Sequence, residues 1–206
     1  MFMQIIQGPI RDADAARATM DRWLTDLESG AEGWLGGTFG VTDDDMFVAA
    51  VRFESEEAAR RNSERPEQGE WWREMEQHFS GPVTFHDCKD VIMLLGGGSD
   101  DAGFVQVVQG QVADPERARS FAEQSTELMA AHRPDIIGAT IAIDEDGCFT
   151  ETVAFTTEDA AREGERKEMP AEVAKVMSEG MASLSDVHYL DLHHPWFASH
   201  HERESL

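Results

Sequence analysis

The stretch Gln4-Ile5-Ile6-Gln7-Gly8 returns as Gln106-Val107-Val108-Gln109-Gly110, an offset of 102 residues (106 − 4). At that offset, 16 of the 57 positions from Gln4 to Arg60 are identical. Unrelated stretches of ordinary composition would agree at roughly one position in sixteen. The chain is therefore a tandem duplication, and its 206 residues divide into two units of similar size rather than one large domain.

Each copy carries the same order of local signals. In the first, Met3 to Gly8 reads as a strand, and Asp12 as the N-cap of a helix with Ala16, Met20, Leu24 and Leu27 on one face. Trp34 to Val41 and Met46 to Glu54 flank the acidic turn Thr42-Asp43-Asp44-Asp45 and predict a hairpin. Phe47, Ala49, Val51 and Phe53 alternate onto one of its faces. Ser55 caps a second helix that Pro66 and Gly69 are expected to interrupt and that resumes over Glu70 to Phe79; Val83 to Cys88, open to extension as far as Leu95, is the fourth strand. The second copy repeats this with Phe104 to Gly110, an Asp114-Pro115 helix start, Ile136 to Ile143, Cys148 to Thr156, a Thr157 cap, a Pro170 restart and Val187 to Asp191. The order β-α-β-β-α-β is the ferredoxin-like split unit.

The expected domains are repeat 1 over 1–97, a glycine-rich linker over 98–103, repeat 2 over 104–192, and a polar, histidine-rich tail over 193–206. The strands carry apolar residues on both faces: Ile137, Ala139, Ile141 and Ile143 on one side, Ile136 and Ala142 on the other. Such strands need cover on both sides. The expected fold class is α+β: two ferredoxin-like βαββαβ repeats packed sheet-to-sheet as an intrachain dimeric α/β barrel. The chain would then be a monomer with an internal pseudo-dimer, or a weak homodimer.

Composition narrows the partners. The net charge is −24, from 41 acidic against 17 basic residues, which repels phosphate backbones and anionic lipid and excludes nucleic acid and membrane surfaces as partners. No apolar run approaches the roughly 18 residues of a membrane span. Met1-Phe2-Met3-Gln4 has neither a basic nor an apolar signal region, so a cytoplasmic location is expected. Cys88 and Cys148 fall at non-equivalent repeat positions and are expected to be free thiols.

The glycine-bearing second strands, Leu35-Gly36-Gly37-Thr38 and Ile137-Gly138-Ala139-Thr140, together with third strands that run into capped helices, Val51 to Ala59 and Val153 to Ala161, resemble the dimeric α/β-barrel superfamily and, within it, the antibiotic biosynthesis monooxygenase (ABM)-like domains. The resemblance covers nearly the whole chain, twice. It implies a cofactor-independent monooxygenase acting on a small aromatic or polyketide-like molecule, with neither cofactor nor metal held by the protein. The alternative on the same fold is a non-catalytic small-molecule-binding or stress-associated module. A small apolar or aromatic ligand fits both.

The candidate catalytic residues are Trp71, Trp72, His78, His86 and Glu151. Trp71, Trp72 and His78 lie on the last helix of repeat 1, where repeat 2 has no tryptophan, so a pocket surviving in one half is expected. Glu151 stands in register with Phe149, Val153 and Phe155, where repeat 1 has Ala49. A carboxylate on an apolar face titrates high and can accept a proton. His86 and His188, on the last strands, are further proton-transfer candidates. Gln4, Gln7, Gln106 and Gln109 are expected to hydrogen-bond across the interface between the halves, one of each pair facing the helices. The heme-degrading relatives use an asparagine on the first strand with a helical tryptophan and histidine; here Gln4 or Gln7 stands in that place and the tryptophan-to-histidine spacing is shorter. His193, His194, His200 and His201 cluster in the tail without the spacing of a recognised metal site.

Overall fold

The computed structural model describes residues 1–199; His200 and His201 lie outside them. In the first repeat the elements are β1 (Phe2–Pro9), α1 (Ala13–Asp26), β2 (Trp34–Val41), β3 (Met46–Phe53), α2 (Glu56–Ser63), α3 (Pro66–Met75) and β4 (Thr84–Leu94). The second repeat contributes β5 (Phe104–Val112), α4 (Pro115–His132), β6 (Ile136–Asp144), β7 (Cys148–Phe155), α5 (Glu158–Arg166), α6 (Ala171–Met181) and β8 (Leu184–Leu192), and β9 (Trp196–Ser199) follows. Each half is the expected βαββαβ unit, with its second helix broken in two. No helix among the described residues is long and apolar enough to cross a membrane.

The four predicted caps form. Asp12 and Asp114 accept from Ala15 N and Arg117 N at 2.9 and 3.0 Å, and Ser55 and Thr157 accept from Ala58 N and Ala160 N at 3.2 and 3.1 Å. Each satisfies a backbone N–H that the first helical turn would otherwise leave unpaired. The predicted restart at Glu70 moves forward: Pro66 itself opens α3, since its fixed φ suits a first helical position, and Gly69 lies inside the helix.

The chain forms two compact units, Met1–Asp87 with the residues from Trp196 on, and Cys88–Pro195. The boundary runs through β4. In the first unit the strand order is β4-β1-β3-β2-β9; in the second it is β8-β5-β7-β6-β4. β9, within the expected tail, pairs antiparallel with β2, Thr38 opposite Phe197. The end of β4 pairs antiparallel with β6 in the same way, Ile92 opposite Ile141. The first unit's sheet is thus completed by β9, which follows the second repeat, and the second unit's by the end of β4, the last strand of the first repeat. The expected linker lies inside the second unit and is tied down there: Gly103 N–H donates to Phe155 O at 3.0 Å, and Ala102 is buried.

Both second strands carry a β-bulge, between Trp34 and Gly36 and between Ile136 and Gly138. Strict alternation sets Ile136 opposite Ile141; the extra residue turns it to the same side, where both line one cavity. The retained glycines have a steric reason. A Cβ on Gly36 would sit 2.4 Å from Ala198 O of β9, and one on Gly138 would sit 1.8 Å from Gly97 O in the turn after β4, so in each unit backbone passes directly over a position with no side chain.

Candidate functional site

The two repeats treat the space between sheet and helices differently. In the first unit it is filled. Trp23 and Trp34 meet edge to face at 5.0 Å, Trp71 lies 6.4 Å from Trp23, and Phe47 meets Phe79 at 5.5 Å. A cavity of about 70 Å³ remains, bounded by Gln4, Met20, Trp23, Trp34, Phe39, Trp71 and Trp72 among others. In the second unit the same space holds a cavity of about 590 Å³. Position by position, Met20, Trp23, Trp34 and Phe39 are matched by Ala122, Ser125, Ile136 and Ile141, all four of which line the larger cavity. The second repeat has smaller side chains at each, and α6 brings no tryptophan to replace Trp71 and Trp72. Its walls are otherwise Val108, Ile143, Phe149, Val153 and Phe155 from the sheet, Phe121 and Met129 from α4, and Met177 and Met181 from α6. A mostly apolar concavity with a few polar groups is the usual form of a small-molecule site.

Glu151 is one of those polar groups. It stands at the centre of β7, opposite Val108 on β5 and Ile141 on β6, and lines the cavity. Desolvation alone pushes its carboxyl up to about 7. No hydrogen bond or ion pair to it forms among the described residues. An ionised carboxylate among hydrocarbon is costly without a partner, so the group holds a proton until near neutrality and can then give it up or take one.

The second polar group is a network at the cavity wall. Gln106 Nε2 donates to Asp191 Oδ1 at 3.1 Å, and Arg162 bonds Asp191 Oδ2. Arg162 also reaches Glu158 at 3.3 Å and Glu165 at 3.1 Å, and its guanidinium lies 5.3 Å from the Phe104 ring. Glu158, Asp191 and His193 bring three potential metal-ligand atoms within 4.8 Å of one another. Arg162 already bonds two of these carboxylates, and His193 Nδ1 meets Glu158 Oε2 at 2.9 Å, so the three are satisfied as an ion-pair network.

The other candidates lie in the first unit. Trp71 is half-buried and its Nε1 donates to Thr19 O at 2.9 Å; His78 Nε2 is 3.0 Å from Thr19 Oγ1. Both therefore fasten the segment after α2 to α1. Trp72 is half-buried between Phe79 and Phe85, with ring centroids at 6.3 and 5.2 Å. His86 is half-buried on β4. Glu151 alone of the five lines the larger cavity. His188 is exposed and its Nε2 lies 3.1 Å from Gln109 Oε1. Gln4 and Gln106 face the helices, as the alternation requires, but their partners, Asp87 and Asp191, belong to their own unit. The expected bond across the halves is for these two a bond to β4 and to β8 of the same unit. Gln106, Arg162 and Asp191 were not among the candidates. Comparing the repeats in sequence gives no signal for them, since Gln4, Arg60 and Asp87 are the same residue types at the matching positions; only in the structure does Arg60 turn to Glu57 and Glu64 while Arg162 also bonds Asp191.

No family model matches the chain, and no curated protein matches it. Solved structures share its fold over nearly its full length. A candidate monooxygenase from Lactobacillus acidophilus NCFM superposes with a TM-score of 0.70 at 13% identity, covering 96% of this chain and 95% of its own. A second, from Fusobacterium nucleatum subsp. nucleatum, gives 0.72 at 10% identity, with 96% and 94% covered. An anthrone oxidase-like protein gives 0.67 at 10% identity, with 96% and 92% covered. These solved structures thus share the fold of the chain across both of its repeats.

Proposed function

We propose that the second repeat binds a small apolar molecule with an acidic C–H or O–H and promotes its reaction with dioxygen, with Glu151 as the proton acceptor. The observation that carries this reading is a carboxylate on the apolar wall of a cavity of about 590 Å³, with no partner among the described residues and pushed by burial up to about 7. A base is most effective when its pKa lies near the working pH. The full-length likeness in fold to candidate monooxygenases and to an anthrone oxidase-like protein supports the same chemistry.

In this scheme a substrate methylene, R₂CH₂, loses a proton to the Glu151 carboxylate. The resulting carbanion passes one electron to dioxygen, and the radical pair combines into a peroxide, R₂CH–OO⁻. Glu151 returns its proton to give R₂CH–OOH. Loss of the remaining C–H proton with cleavage of the O–O bond gives R₂C=O and water. The balance is R₂CH₂ + O₂ → R₂C=O + H₂O, with dioxygen as the oxidant. The apolar walls keep the carbanion from water and raise the effective strength of the base.

Oxygen uptake with anthrone and with hydroquinones is the direct test. Uptake by the wild type, rising with pH through about 7 and reduced 10²-fold or more in Glu151→Gln, is the expected result. No uptake over the panel, or full uptake by Glu151→Gln, overturns the reading. Tight binding of the same compounds without uptake would instead favour a ligand-binding module on this fold.

A further inference from the structure

One hydrogen bond is made in both units. Gln106 Nε2 donates to Asp191 Oδ1 at 3.1 Å, and Gln4 Nε2 donates to Asp87 Oδ1 at 2.8 Å. Their surroundings differ. Gln4 borders a cavity of about 70 Å³, Gln106 one of about 590 Å³. Asp191 also accepts from Arg162 through Oδ2, so both of its carboxylate oxygens act as acceptors. An acceptor-only carboxylate decides which end of the neighbouring amide faces it: the NH₂ must. Oε1 of Gln106 is then left without a partner among the described residues. Gln106 and Val108 are two apart on β5 and so share a face, and Val108 is the residue opposite Glu151. Gln106 and Glu151 thus line the same cavity.

We infer that Gln106 Oε1 orients the ligand and makes the cavity select molecules that present a hydroxyl or N–H donor over those presenting only ether or carbonyl groups. Asp191 and Arg162 are positioning residues that hold the amide in this state. The inference rests on the cavity being the ligand site proposed above. The physical ground is an asymmetry: a ligand with the donor gains a hydrogen bond, while one without it covers Oε1 and leaves it unpaired. A single neutral bond of this kind corresponds to a preference of roughly 3- to 10-fold. An amide free to turn over could meet either kind of ligand, so the preference depends on the ion pair behind it.

The test compares 1-naphthol with 1-methoxynaphthalene, in which a methyl group replaces the hydroxyl hydrogen, by fluorescence titration of the full-length protein. Wild type is expected to bind 1-naphthol roughly 3- to 10-fold more tightly. Gln106→Leu should lose that preference while retaining its affinity for the ether. Asp191→Asn, whose amide can accept or donate, should narrow it without removing binding. Gln4→Leu breaks the matching bond in the first unit and should change neither affinity. Equal affinities in wild type, a preference that survives Gln106→Leu, or an equal loss in Gln4→Leu would each overturn the inference and leave the cavity reading standing. Binding of neither probe would overturn both.

Discussion

Ser125 on α4 stands where Trp23 stands on α1, 102 residues earlier (125 − 23), and the large cavity lies on the side that has the serine. The serine hydroxyl donates within its own helix, to Ala122 O at 3.1 Å; Trp23 reaches across to Gln68 Oε1 at 2.6 Å and closes its unit. Returning the large side chain should therefore refill the second repeat. Ser125→Trp is expected to abolish binding of 1-naphthol while leaving the near-ultraviolet circular dichroism of a folded protein, because the indole enters existing space rather than a packed core. Unchanged binding in this variant would show that the ligand sits elsewhere.

Glu151 also makes a prediction about stability. In the folded chain it keeps its proton to about pH 7, against an ordinary value of 4.5. Between those values the folded state binds more protons than the unfolded one, so stability falls as pH rises from about 4.5 to about 7 and stays lower above. The penalty is roughly 1–3 kcal/mol, allowing for solvent that reaches the cavity. Glu151→Gln removes it. Urea midpoints should match wild type at pH 4.5 and exceed it at pH 8; equal midpoints at pH 8 would mean the carboxylate is not desolvated.

Two glycines should respond in opposite directions. A Cβ on Gly138 would fall 1.8 Å from Gly97 O, whereas one on Gly69, inside α3, would meet nothing within 4 Å. Gly138→Ala is expected to cost about 2 kcal/mol or more, since the clashing atom is backbone. Gly69→Ala should stabilise by about 0.5–1 kcal/mol by restricting the unfolded chain. Thermal melts of the two variants check both signs.

The exchange of edge strands predicts the behaviour of a divided chain. A cut between Gly98 and Ser99 leaves Cys88–Leu94 of the second unit on the first fragment and Trp196–Ser199 of the first unit on the second. Each fragment alone lacks a strand of its sheet. Co-expressed fragments should co-purify in equal amounts, and each alone should unfold at lower denaturant. Fragments that elute separately and fold fully would contradict this strand assignment.

Most of the fold was legible because its signals are local. Asp12, Ser55, Asp114 and Thr157 cap the helix that directly follows each, and period-two alternation placed Phe149, Glu151, Val153 and Phe155 on one face. Trp71, Trp72 and His78 drew attention by residue type, yet Trp71 and His78 are bonded to Thr19 of α1, 52 and 59 residues away.

The sequence by itself determined that there are two copies of one βαββαβ unit, which residues cap four of their helices, and that one carboxylate faces hydrocarbon. Only the tertiary structure decided which copy is hollow. A cavity is the volume left over when side chains from several elements fail to meet, and Ala122, Ser125, Ile136 and Ile141 come from a helix and a strand whose approach no local pattern encodes. The bulge that turns Ile136 inward, and the meeting of Gln106 with Asp191 across a sequence separation of 85, are decided in the same way. Packing sums distant parts of the chain, whereas caps and alternation read only neighbours.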